Sequence, residues 1–335
     1  MRHRSVGILT VFLCFLCACT PPHNGPLSYV SNERDGTITV IDIETDRVIS
    51  TIKVGGRPRG LRLGRDGKTV WVAVSYPSNQ STRKDQISVI DAGSGNAING
   101  FEVGTDPEEF VISHDGAYLF TANEDAGTAS ITDVKANKVI AVMPVGLEPE
   151  GVAISNDGRW VYVTSETSST VSVIDTNTNS VAKTFLVGAR PREAVFSSDG
   201  KRAYVTAENG NTVSVVDANE HNVIGTIELP KGDDTSPLKP KGVVVSPDAK
   251  TIYVATGRGN SVAVIDAESQ RLVQLIPVGQ RPWGLQLSPD GRKLYVANSL
   301  SNNVSVIDVA TNQVIATIAV GDGPWTIAIR PGINK

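Results

Sequence analysis

The 335-residue chain is poor in the residues that chemistry most often recruits: it has three cysteines, four histidines and two methionines, and aromatic residues make up only 5%. Cys14, Cys17 and Cys19 all lie at the extreme N-terminus. Everything beyond them therefore lacks a disulfide, a thiol nucleophile and a cysteine-based metal site. Of the histidines, His3 and His23 also lie near the start, while His114 and His221 fall in predicted turns. So sparse a supply assembles no Ser-His-Asp triad, histidine zinc site or haem axial pair. There is no phosphate loop, dinucleotide fingerprint or EF-hand spacing. A net charge of −4 disfavours a nucleic-acid or anionic-membrane surface. With no catalytic constellation and no cofactor motif, the residues point to a non-enzymatic protein that needs no cofactor.

The N-terminus differs from the rest. Arg2 and Arg4 precede an uncharged apolar run from Val6 to Cys17, which is too short for a comfortable membrane span and reads as a signal peptide. Its ending, Leu16-Cys17-Ala18-Cys19, resembles the bacterial lipobox, which implies acylation of Cys19, export, and a membrane attachment through lipid only. The expected organisation is a leader over 1–19, a linker over 20–27, one repeat domain over 28–330 and a short tail over 331–335.

The repeat is the strongest feature. A strand ending in Val-Ile-Asp or a near variant recurs at Asp42, Asp91, Asp133, Asp175, Asp217, Asp266 and Asp308, at intervals of 49, 42, 42, 42, 49 and 42 residues. Each unit carries four short β-forming segments; in the clearest these are 151–155, 160–164, 170–174 and 181–187, separated by turn residues such as Asn156-Asp157-Gly158. Four antiparallel strands cannot bury both faces alone, and radial stacking solves this. The predicted fold is all-β, a seven-bladed β-propeller of four-stranded blades. The chain begins with a second-strand sequence at Leu27 to Val30 and ends with a first-strand sequence at Trp325 to Ile329, so the C-terminal strand is expected to complete the N-terminal blade.

Strand alternation places Asp-Gly turns at one end of the ring, where Asp caps its own backbone and Gly accepts positive φ. The Val-Ile-Asp aspartates read the same way, as turn formers. The other end varies. There the blade-to-blade crossings follow a Val-Gly-x-x-Pro-x pattern whose proline is flanked by Arg57 and Arg59, Asp106 and Glu108, Glu148 and Glu150, Arg190 and Arg192, Lys239 and Lys241, Arg281 and Trp283, then Gly323 and Trp325. These side chains are expected to encircle the channel mouth as a polarised funnel. Glu109 and Glu193 replace the glycine found at 60, 151, 242 and 284 and add charge there. Insertions at 76–85 and 229–239 fall on the same end, which marks it as the binding face. The candidate ligand or partner residues are accordingly Arg57, Arg59, Glu108, Glu109, Glu148, Glu150, Arg190, Arg192, Lys241, Arg281, Trp283 and Trp325.

Tyr162-Val163-Thr164-Ser165, Tyr204-Val205-Thr206-Ala207 and Tyr295-Val296-Ala297-Asn298 resemble the name motif of the YVTN propellers. Stretches such as Asp106 to Phe110, Ala122 to Asp125 and Val145 to Gly151 are similar to a narrower group associated with pyrroloquinoline-quinone-dependent catabolism. That resemblance implies an exported accessory of periplasmic quinoprotein oxidation. The leading expectation is a binding or scaffold protein that presents the funnel to a quinoprotein dehydrogenase, cytochrome c or transporter component, or to a small anionic metabolite. The alternatives are a hydrolase resembling the seven-bladed lactonases, with rim Glu and Arg residues acting on a sugar-acid lactone, and a purely structural cell-surface propeller.

Overall fold

The computed structural model describes residues 25–77, 83–232 and 236–332; the leader and Cys19 lie outside them. The described residues form strands and turns with no helix, gathered into seven antiparallel sheets of four strands each. Within a sheet the strands follow chain order outward, as in Pro149–Ile154, Trp160–Ser165, Thr170–Asp175 and Ser180–Leu186. The first strands touch one another around the ring and line its axis.

Burial follows from that radial order. The two middle strands are covered on both faces by neighbouring blades and are buried almost throughout, whereas the outermost is mostly exposed. Seven apolar clusters fill the spaces between blades; one packs Val161 and Val163 of one blade against Ile131 of the preceding blade. Burial of both faces explains why the middle strands read as continuous Val, Ile, Tyr and Thr. The turn aspartates act as expected: Asp175 accepts from the Asn177 amide at 2.9 Å and Asp217 from those of Asn219 and Glu220, both at 2.9 Å.

Ring closure is also as expected. Pro324–Arg330 pairs antiparallel with Leu27–Asn32, so the first blade is built from both ends of the chain. One local expectation is corrected. The innermost strand starts at the crossing proline, at Pro149 and not at Gly151, and its register slips between Pro149 and Val152. The same slip recurs at the equivalent prolines. Proline is tolerated there because it opens the strand and the ladder is already broken by the bulge. The residue after each proline therefore belongs to a strand instead of a loop.

Candidate functional site at the channel mouth

The residue after each crossing proline occupies an equivalent place in every blade: Arg59, Glu108, Glu150, Arg192, Lys241, Trp283 and Trp325. Six of the seven are buried, Arg59 to 1% exposure, and Trp325 is half-buried. The residue before the proline points to the rim, where Arg57, Glu148, Arg190 and Arg281 are exposed. At the next position four blades carry glycine, and a Cβ on Gly151 would lie 2.3 Å from the Arg192 carbonyl of the neighbouring blade.

Hydroxyls of the second strands hold these backbones in place. The Thr164 hydroxyl accepts from the Gly151 amide at 2.8 Å and donates to the Arg192 carbonyl of the next blade at 2.9 Å. Ser31 does the same between the Thr326 amide and the Arg59 carbonyl, at 3.1 and 2.6 Å. Thr206 links the Glu193 amide to the Lys241 carbonyl. The three cationic positions of the ring are thus the three stitched from behind.

Two charge clusters result. In the first, Arg59 contacts Glu108, Asp106 at 3.1 Å, Glu33 at 3.3 Å and Glu124 at 3.8 Å, and Arg57 also reaches Glu33 at 2.5 Å. Burial is the main cause that pushes the Glu124 carboxyl up to about 7, aided by Asp106 and opposed by Arg59. In the second, Arg192 contacts Glu166, Glu150 at 2.5 Å and Glu208 at 3.4 Å. Burial opposes ionisation of Glu208, but Lys241, Arg192 and Arg190 together outweigh it and hold the carboxyl below its usual range. Between the clusters the rings of Trp283 and Trp325 meet at 4.1 Å, tilted by 35°, with Lys241 Nζ 3.4 Å above Trp283 and Arg59 5.7 Å from Trp325. The tryptophans form a rung between cations, with their faces engaged.

Beneath this ring lies a cavity of about 460 Å³ bordered by Glu109, Glu150, Arg192, Glu193, Lys241, Trp283 and Trp325, narrowing to Leu63, Val111 and Ile154. Glu108 and Arg59 are outside its lining, as are the four rim residues. Glu109 reaches Arg62 at 3.0 Å and accepts from the Thr326 hydroxyl at 2.9 Å. Arg62 and Thr326 were missed by sequence reasoning: Thr326 stands at the glycine position but brings no charge, and Arg62 lies beyond the proline-flanking positions. Glu193 accepts only a 3.3 Å bond from the Val243 amide. Glu109 and Glu193 open partly to the channel yet sit deep in the ring, where little bulk solvent reaches. Burial, then the charge of Glu109, pushes the Glu193 carboxyl up to about 8, and burial likewise raises Glu109. A raised carboxyl, a paired carboxylate and a guanidinium around one space can exchange protons with a substrate and stabilise a developing oxyanion.

The profile of the seven-bladed β-propeller lactonase family matches residues 180–315, and that of the cytochrome D1 haem domain matches residues 81–191. No curated protein matches the chain. Among solved structures, the periplasmic gluconolactonase of Pseudomonas aeruginosa is 23% identical with a TM-score of 0.77, covering 92% of this chain and 99% of that one. A Bacteroides fragilis protein provisionally named 6-phosphogluconolactonase is 20% identical with a TM-score of 0.75, covering 91% and 98%. Kuenenia stuttgartiensis hydrazine synthase is 21% identical with a TM-score of 0.73, covering 90% and 99%. At these identities the likeness is one of fold.

These findings correct the functional expectation. The lactonase match over residues 180–315 overturns the reading of a non-enzymatic binding or scaffold protein, and with it the expectation of no enzyme activity. The physical reason is that carboxylates and a guanidinium surround a cavity, and hydrolysis requires no histidine if carboxylates carry the protons. A haem does not fit: no His, Met, Cys or Tyr lines the cavity to serve as an axial ligand.

Proposed function

We propose that the protein hydrolyses a lactone at the channel mouth. The observation that carries this reading is the single cavity bordered by Glu150, Glu193 and Arg192. The lactonase match and the lactonase names of two structural neighbours support it. Glu150 takes a proton from the attacking water as the new C–O bond forms. Arg192 stabilises the oxyanion of the tetrahedral intermediate. Glu193, held protonated near neutrality, donates to the departing ring oxygen as the ring C–O bond breaks. The product is a hydroxy acid, whose ionisation releases one proton.

The test is proton release by the full chain on five- and six-membered aldonolactones, with and without a phosphate. Turnover above the spontaneous rate is expected, falling on the order of 10²-fold in Glu150→Gln and in Glu193→Gln. Absence of turnover across the set, or unchanged rates in both variants, would overturn the assignment.

Lactones arise when a cyclic hemiacetal is oxidised, chemistry that periplasmic quinoprotein dehydrogenases perform. The leader, Cys19 and the resemblance to quinone-associated propellers support an exported enzyme working downstream of such an oxidation. Cell fractionation that found the protein in the cytoplasm would remove that setting.

A further inference from the structure

Lys241 has no part in the ring opening above, yet its surroundings are unusual for a lysine. It is the second residue of the inner strand Pro240–Val245, and its carbonyl is fastened by Thr206. Its side chain is only 4% exposed, and its one carboxylate partner is Glu208, 3.0 Å from Nζ. That carboxylate is shared: Arg192 lies at 3.4 Å, Arg190 at 3.5 Å and Lys239 at 3.7 Å. Arg190 and Arg192 also pair with Glu166, and Arg192 with Glu150, so the cluster is mixed in sign, and the aromatic face of Trp283 lies 3.4 Å from Nζ. Burial first, then Arg192, outweigh the support of Glu208 and Glu150 and bring Lys241 down to about 7.

The amine is also within reach of small molecules. Lys241 borders both the channel cavity and a second groove of about 440 Å³ on the same face, lined also by Lys239, Arg258, Gln280 and Arg281. A desolvated lysine among other cations is a recognised way to prepare an amine nucleophile. Arg192 in the cavity, and Lys239 and Arg281 in the groove, lie where they can attract a carboxylate next to the carbon under attack.

We propose that Lys241 is an imine-forming nucleophile for small 2-oxo acids, whose carboxylate is held by the surrounding Arg and Lys side chains. The Nζ lone pair forms a C–N bond to the carbonyl carbon, and the carbonyl oxygen takes a proton. The resulting hydroxyl takes a second proton and leaves as water while nitrogen forms the C=N bond; both protons come from Nζ, relayed by Glu208, which ends as the carboxylate it began. No oxidant or cofactor enters the balance. The chemistry is separate from lactone hydrolysis and can hold or fail independently of it.

The experiment is reductive trapping of the full chain with glyoxylate and cyanoborohydride near neutral pH, followed by peptide mapping. Carboxymethylation is expected at Lys241 about tenfold or more faster than at Lys84, an ordinary lysine whose side chain is 73% exposed. Lys241→Arg should lose the fast adduct while Lys84 labels as before. Labelling of Lys241 no faster than Lys84, measured on the unaltered protein and so independent of how the variant folds, would overturn the proposal.

Discussion

At the level of single residues, the rim carries strain that the fold does not require. Asp106, Glu148, Arg190, Lys239 and Arg281 stand before their prolines with φ between 49° and 59°, where the last crossing has Gly323 at 71°. A side chain in the left-handed region costs about 1 kcal/mol or more, so charge is retained at these places for some use other than folding. The same holds for the buried ion clusters, since such pairs seldom stabilise a fold beyond what apolar packing would give. Glu193 allows a test. Its carboxyl ionises at about 8 when folded against a usual value of 4.5, so the stability linked to its neutral form is complete below 4.5 and is lost as pH rises through about 8. Glu193→Gln has no such loss, and its Tm should gain on that of the wild type between pH 4.5 and pH 8; a constant offset over that range would contradict the assigned proton. Glu109 and Glu193 were legible in the sequence because they break a glycine pattern. Thr326 breaks the same pattern without adding charge, and Arg62 meets Glu109 only through the packing of neighbouring inner strands, so neither was picked out.

At the level of strands, the Tyr-Val-Thr motif has a mechanical meaning that sequence comparison could not supply. Its tyrosine reaches the outer turn of the next blade at one end of the ring: Tyr162 Oη lies 2.7 Å from His221 Nδ1, and Tyr295 Oη donates to Asp46 at 2.6 Å. Its threonine reaches the next blade's inner strand at the other end. Two residues apart on a strand, both side chains point to the same face and fasten the same pair of blades. Thr164→Val keeps the shape but leaves the buried Arg192 carbonyl without this partner, so a loss of about 1–3 kcal/mol is expected in denaturant unfolding. Lactone turnover should fall with it, as Arg192 shifts. A neutral result on both measures would reduce the stitch to a bystander. Strand number, order and approximate limits were readable from alternation and turn chemistry. The proline bulge was not, because a local pattern cannot tell a crossing loop from the first residues of an irregular strand.

At the level of the whole molecule, the ring depends on one pairing between chain ends. Removing residues 324–335 would leave Leu27–Asn32 with an open edge and expose the apolar space between the first and last blades, which Ile327 helps to fill. Such a truncation should abolish cooperative thermal unfolding, and adding the missing strand as a separate peptide should restore part of it; a truncated ring that melts like the intact chain would refute the clasp. Closure also fixes a direction. Leu27 opens its strand opposite Arg330, which closes the last one, and both lie at the far end of the ring from the prolines. Whatever joins the chain ahead of Gly25 therefore departs from the back of the disc. The described chain thus begins and ends on the surface opposite the mouth, which leaves the approach to the cavity clear.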